Sequence, residues 1–182
     1  MKPVFVCLQG SSISDIADHL PRLLSLDVLW ASLNRFDILE QKLDIKFDIV
    51  WLSSVERLHQ IRYTPSHIVN HTQSLYAFGF SSLFAFLCYL IKKEYKDIYL
   101  FGADGGTKSD KLYFAEDDMK ENIEERKNSI YKDTLIMNDL FWKLIDYWGV
   151  GNKNTVNIYN VNNDSLLTCF RTIKYKDLVN YI

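Results

Sequence analysis

Residues 4–18 read VFVCLQGSSISDIAD. A short apolar run closes at a glycine and two serines, and then apolar residues and acids recur at helical spacing. The run over residues 3–8 predicts a buried strand ended by Gly10. Ser12 or Ser14 is placed to cap a helix starting near Ile13, with Asp15 and Asp18 in its first turns. A strand, a tight polar turn and a helix form the opening of a βα unit. Two readings of QGSS stay open. It is an ordinary capped turn, or a turn whose successive N–H groups and serine hydroxyls hold a phosphate. It is neither a GxGxxG fingerprint nor a P-loop.

The pattern repeats along the chain. Residues 27–31 (DVLWA) and 47–52 (FDIVWL) read as further strands, with a short charged segment over 39–46 between them. Residues 62–69 contain Pro65, which breaks a helix there and leaves a short strand. An apolar helix is expected over 81–93, and residues 97–101 (DIYLF) form the clearest strand, ending in GADGG. Residues 108–132 are densely charged without an apolar stripe and read as a mobile loop or lid with some helix. Residues 133–148 show helical periodicity through Leu135, Leu140, Leu144 and Trp148, with Gly149 as a stop. Residues 155–161 (TVNIYNV) form a last strand, and 165–170 and 175–181 read as short helical pieces.

Strands alternating with helices predict an α/β fold: a Rossmann-like, mostly parallel sheet with helices on both faces, in one domain over 1–182. Ligands of such sheets sit outside the carboxyl ends of the strands. That rule selects Gly10–Ser12, Ser32–Asn34, Ser53–Ser54 and Gly102–Gly106, all of them polar or glycine-containing. Asp104, within GADGG, is a candidate acid, base or ribose ligand. The competing reading of that turn is a set of positive-φ positions and nothing more.

The 182 residues are 48% hydrophobic and 24% charged, with net charge −2. This is the balance of a globular protein, and it supplies no basic field for nucleic acid. Cys7, Cys88 and Cys169 are far apart and set among apolar neighbours, which fits reduced thiols better than a disulfide framework or a zinc site. The N-terminal residues lack a signal-peptide layout, so a cytoplasmic location is expected. Residues 74–91 (SLYAFGFSSLFAFLCYLI) carry no charge. Their length makes them a marginal membrane-span candidate, but Gly79, the Ser81–Ser82 pair and the strand that follows favour a helix buried on a sheet. Contact with the inner membrane face and self-association are other uses for such a surface.

Metal chemistry has little support. His67 and His71 would share a helix face, but Pro65, Ile68 and Val69 weaken a helix there. His19 and His59 are isolated. Glu116, Asp117 and Asp118 form a solvated run. No Asp-x-Asp, HExxH, GxSxG or Cys–His nucleophile pattern occurs.

Taken in order, VFVCLQGSSISDI, DVLWASLNRF, FDIVWLSS, SSLFAFLCYLIKKEYKDIYLFGADGG and IYNVNNDSLLTCF resemble the bacterial lipooligosaccharide sialyltransferases. They also resemble their relatives among the motility accessory factor glycosyltransferases and the hydroxymethylpterin diphosphokinase-like proteins. The resemblance covers most of the chain. It implies a glycosyltransferase that uses a nucleotide-activated sugar, CMP-linked in the sialyltransferases, to build a bacterial cell-surface glycan or lipopolysaccharide. The partners would then be the sugar donor and a glycan acceptor. No cofactor or bound metal is implied. The residues that match the family's nucleotide contacts are Gly10 and Ser12 in the first turn, Asn34, Ser81 and Ser82; Ser11, in the same turn, is a further binding candidate. Ser53 and Gly102 end the adjoining strands. Tyr113 matches the tyrosine that neutralises the leaving phosphate, and Asp104 sits in the Gly-x-Asp turn.

There are departures. Ser11 stands where the family has proline, and the stretch ERKNSIYKDT has no counterpart of the family's histidine base. Tyr131 and Asp133 are the nearest proton acceptors there, and neither is a like-for-like substitute. Those departures point to a transfer related to sialyl transfer. Two alternatives are a Mg²⁺-dependent diphosphokinase-like phosphoryl transferase and a nucleotide-binding domain without catalysis.

Overall fold

A computed structural model describes residues 1–52, 65, 67–70, 81–106, 123–162 and 164–182. Its frame is a sheet of seven strands, all paired in parallel, in the order β4-β3-β2-β1-β5-β6-β7. From the central β1 (Val4–Cys7) the chain steps outward through β2 (Leu29–Leu33), β3 (Ile49–Leu52) and β4 (His67–Asn70). It then returns to the other side of β1 with β5 (Asp97–Phe101), β6 (Asn157–Asn160) and the two-residue β7 (Arg171–Thr172). The direction of stepping therefore reverses between β1 and β5, and a crevice opens at that point beyond the strand ends.

The alternation of side chains sorts the core into two layers. Val4 and Val6 join Ala31, Ile98 and Leu100 on one face, which is covered by α3 (Ser82–Lys92) and α4 (Ile123–Tyr147). Phe5 and Cys7 join Trp30, Tyr99 and Phe101 on the other. That second face is covered by a 3-10 helix (Ser11–His19), α1 (Leu20–Leu23), α2 (Phe36–Leu43) and a terminal 3-10 helix (Tyr175–Asn180). Phe5 packs edge-on against Trp30, Tyr99 and Phe101, with ring centroids 5.2, 5.5 and 5.0 Å away. The cross-strand register of β1 with β2 and β5 places these rings side by side. Helices on both faces of a parallel sheet agree with the expected α/β class.

α3 accounts for residues 82–91 of the charge-free stretch, whose residues 74–80 lie outside the described residues. Phe84, Ala85, Phe86, Leu87, Cys88, Leu90 and Ile91 are all buried, because the helix lies between the sheet and α4. Phe84 meets Phe141 and Trp148 of the α4 side at 5.6 and 5.7 Å. Each large side chain buried in this way contributes roughly 2 kcal/mol. No helix among the described residues is long and apolar enough to cross a membrane.

Four expectations change. The first helical segment is 3-10 and begins at Ser11, and neither Ser12 nor Ser14 caps it; the Ser14 hydroxyl donates to the Ser11 carbonyl instead, at 3.0 Å. The charged segment read over 39–46 belongs largely to α2, whose Phe36, Ile38, Leu39 and Leu43 turn inward. The short strand expected over 62–69 is found as β4, which His67 opens. The loop expected over 108–132 already belongs to α4 from Ile123 onward; residues 107–122 lie outside the described residues. Finally, residues 165–170 are not helical. They run along α4, where Asn138 Oδ1 accepts from the Thr168 and Cys169 amides at 2.8 and 3.2 Å, Asn138 Nδ2 donates to the Leu166 carbonyl, and Trp142 Nε1 donates to the Cys169 carbonyl.

Candidate functional site

The turns leaving β1 and β5 are in backbone contact. Leu8 N–H donates to Phe101 O at 2.8 Å and Gly10 N–H to Gly102 O at 3.0 Å. Gly102 adopts φ 68°, a conformation that disfavours any other residue. A Cβ on Gly10 would meet the Gly102 carbonyl and come within 2.6 Å of Asp104 Oδ2. The glycines are there because two backbones and a carboxylate share one space.

Asp104 is 4% exposed, and its carboxylate ties three segments together. Oδ2 accepts from Ser11 Oγ at 3.2 Å and from the Ser12 amide at 2.9 Å. Oδ1 accepts from Ser12 Oγ and, at 2.7 Å, from Asn162 Nδ2 beyond β6. An ionised carboxylate is acceptor-only, and four donors satisfy it well. Asn160 and Ser165 support the same turn, since Asn160 Nδ2 donates to the Ala103 carbonyl at 3.0 Å and to Ser165 Oγ at 2.8 Å. This is what the Asn-x-x-x-x-Ser spacing does here.

Around these turns lies a cleft of about 300 Å³. Its floor is Leu8, Gln9, Gly10 and Gly102–Gly106, and its sides are Leu33, Asn34 and Ser81–Leu83. Its remaining wall is one stripe of α4: Arg126, Ile130, Asp133, Thr134 and Met137. These α4 residues fall on a single helical face, and Gly105 (φ 68°) passes so close that a Cβ there would touch Thr134 Cγ2 at 3.0 Å. Asn34 sits at φ 55°, in the left-handed region where asparagine is tolerated, with its amide donating to Trp51 O at 2.7 Å.

α3 points its N-terminus into this cleft. Ser81, extended at φ −142°, caps the helix, its Oγ accepting from the Phe84 amide at 3.1 Å. The Ser81 hydroxyl also lies 3.6 Å from Met137 Sδ on α4. The first-turn amides of Ser82 and Leu83 have no acceptor within the helix and carry the positive end of its dipole. Across the cleft, burial raises the Asp133 carboxyl above its ordinary range, an effect partly offset by the Arg126 charge.

Of the sequence-selected residues, Gly10, Asn34, Ser81, Ser82, Gly102 and Asp104 converge on the cleft. Ser11 and Ser12 adjoin it, but their hydroxyls donate to Asp104. Ser53 and Tyr113 lie outside the described residues. Sequence reasoning missed Asn162, although it is a hydrogen-bonding side chain just past a strand end. It also missed Arg126, Ile130 and Thr134, which read as loop or helix surface because their stripe is polar.

An open parallel sheet with a polar crevice at its switch point defines the Rossmann-like α/β class, and the likeness to solved structures agrees. The sialyltransferase CstII from Campylobacter jejuni, solved in complex with a substrate analogue, CMP-3FNeuAc, has a similar fold. The TM-score is 0.50 at 15% sequence identity, over 95% of this chain and 86% of that chain. The likeness is therefore one of fold. No family model and no curated protein sequence matches the chain.

Proposed function

We infer that the protein is a glycosyltransferase that takes its sugar from a nucleotide-activated, CMP-linked donor and adds it to a bacterial cell-surface glycan or lipopolysaccharide at the cytoplasmic side of the inner membrane. The observation that carries this reading is the α3 N-terminus opening into the β1–β5 crevice. Free amides and a helix dipole favour a phosphate there, and the Gly10 and Gly102 backbones leave room for it. A similar fold accommodates a CMP-sugar analogue in the Campylobacter sialyltransferase. In this reading Gly10, Gly102, Asn34, Ser81 and Ser82 contact the nucleotide. Ser11, Ser12 and Asp104 hold the first turn in place. Tyr113 keeps the leaving-phosphate role that the family resemblance implies, and Ser53 stays a nucleotide-binding candidate by its sequence position just after β3. Catalysis rests on positioning the donor and on stabilising the charge of its departing phosphate.

The phosphoryl-transfer alternative would use Asp104 as a Mg²⁺ ligand. Its oxygens already accept four protein donors, which favours the sugar-transfer reading. Titration calorimetry with CMP, CDP, UDP and GDP tests the proposal. CMP is expected to bind most tightly. Absence of binding by all four nucleotides at millimolar concentration rejects the reading, and Mg²⁺-dependent ATP binding in their place supports the phosphoryl-transfer alternative.

A further inference from the structure

Two carboxyl side chains line the cleft, Asp104 and Asp133. Asp104 is engaged by Ser11, Ser12 and Asn162. Asp133 stands on the opposite wall, and its place follows from its neighbours on α4. Met137, four residues on, reaches the Ser81 hydroxyl that caps α3. Thr134 meets the Gly105 turn. One helical turn, about 5.4 Å along α4, separates Asp133 from Met137, and both line the cleft into which α3 opens. An acceptor hydroxyl must enter that same cleft to reach a donor whose phosphate rests on α3.

Tyr131, the other proton acceptor of this stretch, is 49% exposed and does not line the cleft. The charged groups facing Asp133 among the described residues are Arg126 on its own helix and Asp104 across the floor. The cleft lining contributed by α3, by the turns after β1 and β2, and by the segment after β6 is neutral: Ser81, Ser82, Gln9, Asn34 and Leu167.

We propose that Asp133 is the general base of the transfer, an assignment that rests on the donor-binding reading above. The Asp133 carboxylate takes the proton of the acceptor hydroxyl as that oxygen bonds to the anomeric carbon of the sugar. The bond from that carbon to the phosphate oxygen breaks, and its electron pair leaves with CMP. The proton ends on Asp133 and passes to solvent. Partial burial raises the affinity of the Asp133 carboxylate for a proton, and the Arg126 charge opposes part of that rise.

The test uses the whole protein, CMP as binding probe and a panel of CMP-linked sugars as donor, with CMP release measured with and without a lipopolysaccharide-derived glycan acceptor. Asp133→Asn should lower kcat by about 10²- to 10³-fold, with donor KM within about threefold and CMP binding unchanged or tighter. The wild-type rate should fall as pH drops through the raised carboxyl pKa. That acidic limb should vanish in Asp133→Asn, and Asp133→Glu should recover part of the rate. Asp139→Asn, on an exposed α4 acid paired with Lys143, serves as a control and should change nothing. Asp133→Asn turnover within about twofold of wild type overturns the assignment, as does a tenfold loss of CMP affinity in a variant with a wild-type melting curve. A wild-type protein that binds CMP but releases none from the donor overturns the base while leaving nucleotide binding standing. A wild-type protein that does not bind CMP overturns the functional reading itself.

Discussion

Two serine pairs border the same cleft and do different work. Ser11 and Ser12 follow a glycine at the end of β1, where a phosphate cradle would be sought first, yet both hydroxyls donate inward to Asp104. Ser81 and Ser82 open α3, with the Ser81 oxygen capping the helix and the pair lining the open cleft. The difference lies in what each pair faces. A buried carboxylate captures the first pair. In the second, the Ser81 hydroxyl meets, among the described residues, only the weak sulfur acceptor of Met137, and both serines line the cleft. Small polar residues beside a glycine are therefore evidence of a tight turn, and their hydroxyls bind ligand only where no internal acceptor claims them.

The comparison can be broken at its tightest point first. Gly10→Ala drives a Cβ against the Gly102 carbonyl and Asp104, with no flexible neighbour able to give way. A loss of about 3 kcal/mol or more is expected in urea unfolding, with failure to fold at the extreme. Wild-type stability in that variant would mean that the two turns are not held together as described.

Removing the shared acceptor comes next. Asp104→Ala leaves the Ser12 amide, the Ser11 and Ser12 hydroxyls and Asn162 without their carboxylate, at a cost of about 2–3 kcal/mol. Asp104→Asn keeps part of the acceptor set and should cost less. Equal losses in the two variants would argue that hydrogen bonding is not what Asp104 supplies.

The smallest effects separate the two pairs most sharply. Ser12→Ala should cost about 1 kcal/mol of stability with CMP affinity within about twofold. Ser81→Asp should preserve the helix cap and hence stability, but place a negative charge at the phosphate position and weaken CMP binding about tenfold or more. Should Ser12→Ala weaken CMP and Ser81→Asp leave it unchanged, the roles of the pairs are reversed.

Much of the frame was legible because it is written in periodicity. VFVC, IVWL and DIYLF are short apolar runs bounded by turn residues, and SLFAFLCYLIK is apolar enough to demand burial. The missed parts obey other signals. The first turns of α4, with Glu125, Arg126 and Lys127, have no apolar stripe because one side faces solvent and the other lines a polar cleft. Residues 165–170 look helical, but Asn138 and Trp142 satisfy their backbone groups from α4, so a helix is not needed there. Three of the four turns selected by the switch-point rule, which is topological, border the cleft, and the fourth, Ser53–Ser54, lies outside the described residues. The acceptor that decides which serines remain available was not legible, because local sequence does not reveal that Asp104 and Ser12 are neighbours.

That separation has a kinetic side. Ser12 and Asp104 lie 92 residues apart in the chain and come together only because β1 pairs with β5. Closing so long a loop is an entropic cost met late in folding, after the β1–β3 half has the means to assemble locally. The cleft therefore cannot exist on a half-folded chain. A nucleotide that binds it should slow global unfolding and leave early collapse untouched, making ligand occupancy a brake on degradation as well as a step in turnover.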